Sequence, residues 1–454
     1  MDIPIEFGEH SHSFSTGRRV LLVNPPAVDL RLPWAEWIEP TGLLKLGAFL
    51  ETNDHDVRLI DCLREAPRQR ERDAIVHRGG QALNRWRFGL RAPELRRRLG
   101  TLVGSGWRPD DVIVSSLTSF WWRGVPFVVE IVRKLMPDAR IIVAGEYPMR
   151  AWTHAVAHLE ADVVLDGRLG RPVLACAPAY HLYASKVHNA AICDLPAMGV
   201  DGAIAQIGDA VRKGVTRLHL ADHGLASSHR DLLAEFLARL AVEHKRTRLS
   251  VLGTITAKGI CAWPELPSLL AAARCSYLAL ADNRSYAVTP AGRDEFLEDA
   301  RAATELVLDA GRRSRTDDYA IGLAIGRPGE TAGDAAALLA DLGHIAGSVI
   351  PTPYQPLSVR EGADPWDQNG KLFPCALKDG EFMDFARVLG LAAIVNAKHR
   401  SRTFDFGAED SRVARSVRRA LADRAWDPHY DANAPGRSGL AILPLIGPED
   451  EGCG

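Results

Sequence analysis

The chain has 454 residues, too many for one ordinary hydrophobic core, so two or three domains are expected. Its composition, 46% hydrophobic and 25% charged, is that of a globular protein, and a formal charge of −2 supplies no field to draw in nucleic acid or an anionic membrane. No run approaches the ~20 apolar residues that span a bilayer, and the polar, acidic start "MDIPIEFGEHSHSFSTG" lacks the layout of a signal peptide, so a cytoplasmic location is expected, with neither membrane nor nucleic acid as partner.

After that start, read as a tail over residues 1–17, "RRVLLVNPP" predicts a buried parallel strand stopped by asparagine and two prolines. "PTGLLKLGAFLETND" predicts a helix with Leu43, Leu46, Gly47 and Leu50 on one face, and "HDVRLIDC" a second strand. The arginines of "RQRERDAIVHRGGQALNRWRFGLRAPELRRR" recur near helical spacing and predict a solvated amphipathic helix. "DDVIVSSLTS", "ARIIVAGEYP" and "ADVVLDGRLG" read as further strands, with "VPFVVEIVRKLMP" a helix between the first two. Strands alternating with helices imply right-handed crossovers and a doubly wound parallel sheet. Ligands of such sheets bind beyond the carboxyl ends of the strands. Here those ends are Asn24-Pro25-Pro26, Asp61, Ser115 to Thr118, and Gly145-Glu146.

Taken together, "VLLVNPP", "PTGLLKLGAFLE", "HDVRLIDC", "DVIVSSLTS", "IIVAGEYP" and "ADVVLDG" resemble the cobalamin-binding domain of the cobalamin-dependent radical S-adenosylmethionine (SAM) family. The resemblance covers roughly residues 18–170. It implies that the cofactor's nucleotide tail slides past small residues at the third and fourth strand ends. Asn24, Pro25, Pro26, Ser115, Leu117, Thr118 and Gly145 are the cofactor-binding positions it points to, Ser115 and Leu117 matching an S-x-L element and Gly145 the first residue of a Gly-Gly turn. The second glycine of that turn is Glu146 here, and the loop 24–46 holds no histidine to ligate cobalt from below.

From Leu182 onward strand-helix units recur, from "GAIAQIGDAVRKG" and "VTRLHLAD" to "DDYAIGLAIG", "TAGDAAALLADLGHIAG" and "SVIPTPYQP". At least five alternations predict a partial or full (β/α) barrel over residues 171–400, followed by a C-terminal extension, 401–454. Its strand ends fall at Asp222-His223, Asp282-Asn283, Gly326 to Thr331, and Pro353-Tyr354. "AIGRPGETAGDAAALL" reads locally as a turn with Glu330 and Thr331 in the first turn of a helix. In context it resembles the G-x-P-G-E-T turn of radical SAM barrels. That resemblance implies SAM contacts at Gly326, Pro328, Gly329 and Glu330, with Asp222 as a partner for a ribose hydroxyl.

In the same family the first barrel strand is followed by C-x3-C-x2-C, whose thiolates hold a [4Fe–4S] cluster. "YASKVHNAAICDLP" keeps one cysteine. With Cys193 registered as the third ligand, the other two positions are Ala190 and Lys186, and a slip of register offers only His188. Neither alanine nor a lysine ammonium binds iron, so the cluster is expected to be absent. The seven cysteines, Cys62, Cys176, Cys193, Cys261, Cys275, Cys375 and Cys453, form no CxxC pair and read as free thiols, with Cys176 and Cys275 the nearest alternatives as ligands. His219 and His223 flank Asp222 and could be a metal pair or core histidines, and Trp34 and Trp37 could pack on a corrin ring or in a core. The expected function is cobalamin chemistry without radical cleavage of SAM, such as polar methyl transfer to a small-molecule substrate. The alternatives are a non-catalytic partner of a cluster-bearing paralogue, or a radical enzyme with unrecognised ligands.

Overall fold

A computed structural model describes the backbone at residues 2–7, 10–30, 39–65, 69–78, 81–184, 187, 189–192, 194–222, 224–281, 290–314, 318–327, 329–345, 348–354 and 362–368, and at 388, 391, 392 and 396. The stretch read as an N-terminal tail forms an antiparallel hairpin, β1 (Asp2–Phe7) against β2 (His10–Ser15). There follow β3 (Arg19–Asn24), the short β4 (Ala27–Asp29), β5 (Asp56–Asp61), β6 (Arg70–Arg78), β7 (Gln81–Phe88), β8 (Asp111–Ser116), β9 (Arg140–Gly145) and a two-residue β10 (Val163–Val164).

Five of these strands form a parallel sheet in the order β10-β9-β8-β3-β5. Counted along the chain this is 2-1-3-4-5, a common doubly wound order whose switch point lies between β3 and β8. Both faces are covered. Val20, Leu22, Ile113 and Ile142 pack with Leu43, Leu46 and Leu50 of the helix Thr41–Thr52. Leu21, Val23, Val112, Val114, Ile141 and Val143 pack on the opposite face with the helices Ala92–Gly104 and Gly124–Leu135. Alternate residues are thus buried on opposite sides, which explains why these strands read as continuous apolar runs.

The arginine-rich segment departs from the expected helix. Residues 70–88 form β6 and β7, which join β4 in a three-stranded antiparallel sheet, and only the last part of the segment enters the helix Ala92–Gly104. The reason is electrostatic as much as apolar. Arg85 and Arg87 both reach Asp73 on the facing strand, at 2.7 and 3.0 Å, so these arginines pair across strands instead of lining a solvated helix face. Leu83 meanwhile joins the core built around the helices Pro290–Ser314 and Ala332–Ile345.

The second half carries β11 (Asn189–Ile192), β12 (Arg217–Leu220), β13 (Arg248–Thr256), β14 (Cys275–Ala281), β15 (Asp318–Ile325) and β16 (Val349–Pro353). These six form a parallel sheet in sequential order. Ala190, Ile192, Leu218, Leu220, Leu249, Val251, Leu278 and Leu280 point to one face, into a core shared with the helices Leu195–Arg212 and Arg230–Glu243. The other face carries Ala191, His219, Ser250 and Tyr277 in register, then Ala279, Ala320, Gly322 and Ile350. Sequential strands with helices on one face are the arrangement from which barrels are built, and the protein is an α/β protein with two parallel sheets. No helix among the described residues is long and apolar enough to cross a membrane.

Candidate functional site

The two sheets meet at a buried seam rich in polar groups. Leu44, Tyr180 and Tyr183 join the core of the second sheet, drawing the helix Thr41–Thr52 against the start of β11. The residue after Leu44, Lys45, is wholly buried. Its Nζ donates to the carbonyl of Leu174 at 2.7 Å, to Asp194 Oδ2 at 3.0 Å and to the sulfur of Met198 at 3.4 Å. An ammonium with such partners is stabilised in place, because a buried charge is tolerated only when paired and hydrogen-bonded.

Lys45 fills the turn where the resemblance places the metal cluster. β11 ends at Ile192, and the next helix starts at Leu195. Ala190 therefore lies within the strand, buried on the helix-facing side, not in a loop. A C-x3-C-x2-C loop following this strand counts forward from Cys193 and meets Ala197 and Val200, which offer no ligand, while Lys45 binds Asp194 and Met198 between them. Cys193 itself, Lys186 and His188 lie outside the described residues, as do His223, Pro328, Trp34, Trp37, Asp282 and Asn283. Cys275 is buried, and desolvation pushes its thiol up to about 12, so it is no ready thiolate. Cys176 is half-buried, its thiol also raised by desolvation.

Asp222 serves the same turn. Its two carboxylate oxygens accept the backbone N–H groups of Asp194 and, at 2.6 Å, Leu195, capping the helix that begins there from a neighbouring strand. Burial raises its proton affinity, and these hydrogen bonds oppose that. At the far strand end, Glu330 lies outside the helix expected to contain it. Its Oε2 accepts the amides of Gly326 at 2.6 Å and Arg327 at 3.1 Å, closing the turn on itself. Gly326 and Gly329 adopt left-handed φ values of +78° and +83°, which explains both glycines. Thr331 caps the following helix reciprocally with Asp334.

In the first sheet Asn24 is buried and donates to Asp61 Oδ1 at 2.8 Å. Asp61 also accepts from Tyr183 Oη at 2.7 Å and from the amides of Leu63 and Arg64, each at 3.0 Å. Its proton affinity is raised by burial, against the effect of these donors. Beside it Glu39 is buried, its Oε2 lacks a hydrogen-bond partner among the described residues, and desolvation lifts its carboxyl to about 8. Pro25 and Pro26 are packed beneath the helix Gly124–Leu135; a Cβ on Gly124 would lie 1.8 Å from the carbonyl oxygen of Pro26. At the next strand ends Gly145, with φ +94°, abuts Ser115 and Ser116, 2.7 Å from where its Cβ would stand. Leu117 is half-buried, and Thr118 is buried with its hydroxyl unpartnered.

These positions decide how far cobalamin and SAM fit. At the Ser115–Thr118 and Gly145 ends one hydroxyl, that of Thr118, has no partner among the described residues, while the space beside Gly145 is filled by Ser115 and Ser116. At the Asn24–Pro26 end the asparagine is bound to Asp61 and the prolines are covered, so the switch-point crevice is closed there. Both acids that the resemblance assigns to SAM already bind backbone amides. Sequence reasoning missed Lys45 and Glu39. Lys45 reads as the polar face of a helix, and its partners lie 129 to 153 residues away. The only sequence signal near Glu39 was its place beside Trp37 before a proline.

No known family matches this sequence, and no curated protein does. Among solved structures the chain is similar to active domain 2 of a thermostable chitinase from Pyrococcus furiosus, at 13% identity and a TM-score of 0.26, over 66% of this chain and 91% of that one. It is also similar to a psychrophilic glycoside hydrolase family 10 endo-β-1,4-xylanase, at 8% identity and a TM-score of 0.21, over 67% and 85% of the two chains. An N-terminal ketoreductase from a macrolactin assembly line matches at 11% identity and a TM-score of 0.19, over 90% and 80%. At these TM-scores the likeness carries no weight for activity.

Proposed function

We propose that this chain is a cluster-less relative of the cobalamin-dependent radical SAM enzymes, acting as a non-catalytic partner that holds a small molecule for a cluster-bearing paralogue. One observation carries the reading: the turn after β11 is occupied by Lys45, Asp194 and Met198 and capped by Asp222. A positive charge in that turn opposes iron, and three thiolates are what the cluster requires. The family's acidic strand-end residues survive here in structural roles, as helix and turn caps. Retaining a fold while its polar groups turn inward is what a supporting subunit requires.

A second reading, polar methyl transfer on cobalamin, is favoured by the Thr118 hydroxyl, just past the end of the strand Asp111–Ser116, which has no partner among the described residues. Bound there, cobalamin would supply the methyl group, and Thr118 would hold its tail. The two readings separate on gel filtration with hydroxocobalamin, followed by visible absorbance of the protein peak. The partner reading expects no stoichiometric cobalt on the isolated chain and its recovery with a cluster-bearing paralogue when the two are co-expressed. One cobalt per chain in the isolated protein supports the transfer reading and overturns the first.

A further inference from the structure

The inner face of the second sheet holds a histidine that no described residue completes. His219 stands on β12 between Ala191 of β11 and Ser250 of β13. It is 4% exposed, and neither Nδ1 nor Nε2 has a hydrogen-bond partner among the described residues. Thr254, one residue before the outward-facing Ile255, is likewise buried with its hydroxyl unpaired. Farther across the same face the side chains shrink to Ala279 and Ala320.

A buried polar group left unpaired is costly, and native proteins keep such groups where a ligand or ordered water completes them. Desolvation, reinforced by Arg217, keeps the imidazole neutral at pH 7. It can then donate one hydrogen bond and accept one. The neutral imidazole offers a ligand no charge, and its registered neighbours, Ala191 and Ser250, add none. Farther across the face Ala279, Ala320, Ile350 and Tyr277 pack into an apolar wall.

We propose that the inner face around His219, Ser250 and Thr254 binds an uncharged small molecule with an apolar part, which His219 recognises through the donor on one ring nitrogen and the acceptor on the other. The inference stands on the second sheet alone, so it survives failure of either the cobalamin or the partner test.

The test uses the full chain, with 4-hydroxybenzamide as the probe and thermal melting as the readout. At about 5 mM the probe raises the wild-type melting temperature by about 2 °C or more, as binding to the folded state requires. His219→Leu, which removes both unpaired nitrogens, melts about 1–2 °C above the wild type without probe and shows no probe-dependent shift. His219→Gln, which keeps a donor and an acceptor, retains part of the shift and serves if the leucine variant does not fold. A wild type unmoved by the probe overturns the proposal. So does an equal shift in wild type and both variants, or a leucine variant that melts below the wild type while the glutamine variant matches it.

Discussion

Replacing Lys45 tests the seam directly. Lys45→Met keeps the length and most of the apolar stem but removes the ammonium that holds Leu174, Asp194 and Met198. Removing one member of a buried ion pair costs about 3–5 kcal/mol. The Asp194 side chain is 29% exposed, so water can take over its charge, and the lower end, about 3 kcal/mol, is expected for Lys45→Met. Asp194→Asn removes the carboxylate charge that faces the wholly buried Lys45 ammonium and costs about 3–5 kcal/mol. Urea unfolding followed by tryptophan fluorescence and far-UV circular dichroism measures both, and the double variant should reveal a coupling of about 1–2 kcal/mol. Because the lysine ties the first sheet to the mouth of the second, its loss should also separate the two probes' transitions. A Lys45→Met protein within about 0.5 kcal/mol of wild type, with coincident transitions, refutes the reasoning.

Three further outcomes follow from the same geometry. Glu39, raised from 4.5 to about 8, favours the folded state only while protonated, so its contribution is complete below about pH 4.5 and is lost as pH rises through 8. Glu39→Gln should therefore match wild type near pH 4 and exceed it by about 2–4 kcal/mol near pH 9 in urea titrations; equal stabilities at both pH values contradict the assignment. His219 runs the opposite way: with its pKa lowered to about 4, its contribution is complete above 6.5 and lost as pH falls toward 4, so His219→Gln should flatten the acid side of the stability profile. Gly145→Ala should cost more than about 3 kcal/mol, since φ +94° is strained for alanine and the Cβ would meet backbone at Ser116, and a near-neutral melting temperature would show the turn can relax.

The parallel strands were legible in the sequence because each is buried on both faces, so "RRVLLVN" and "DDVIVSS" announce themselves by continuous apolar character. The strand-helix rhythm of the second half was legible for the same reason. The hairpin at residues 70–88 was not, since its arginines sit near helical spacing and only the cross-strand partner Asp73 reveals why they alternate. The strand expected at "ADVVLDGRLG" shrinks to Val163–Val164 at the sheet edge. Strand ends such as Asn24, Asp61 and Gly145 were legible as places, whereas the partners of strand-end side chains were not. Whether Asp222 or Glu330 faces a ligand or a backbone amide depends on where the next helix begins, and no local pattern encodes that.

The proposed loss of the iron–sulfur site is tested most directly by anaerobic reconstitution of the full chain with iron and sulfide, with iron counted per chain after desalting. An occupied turn predicts well under about one iron per chain and no absorbance of cluster type. About four irons per chain, with that absorbance, would contradict it and place thiolate ligands where Lys45, Ala197 and Val200 now argue against them.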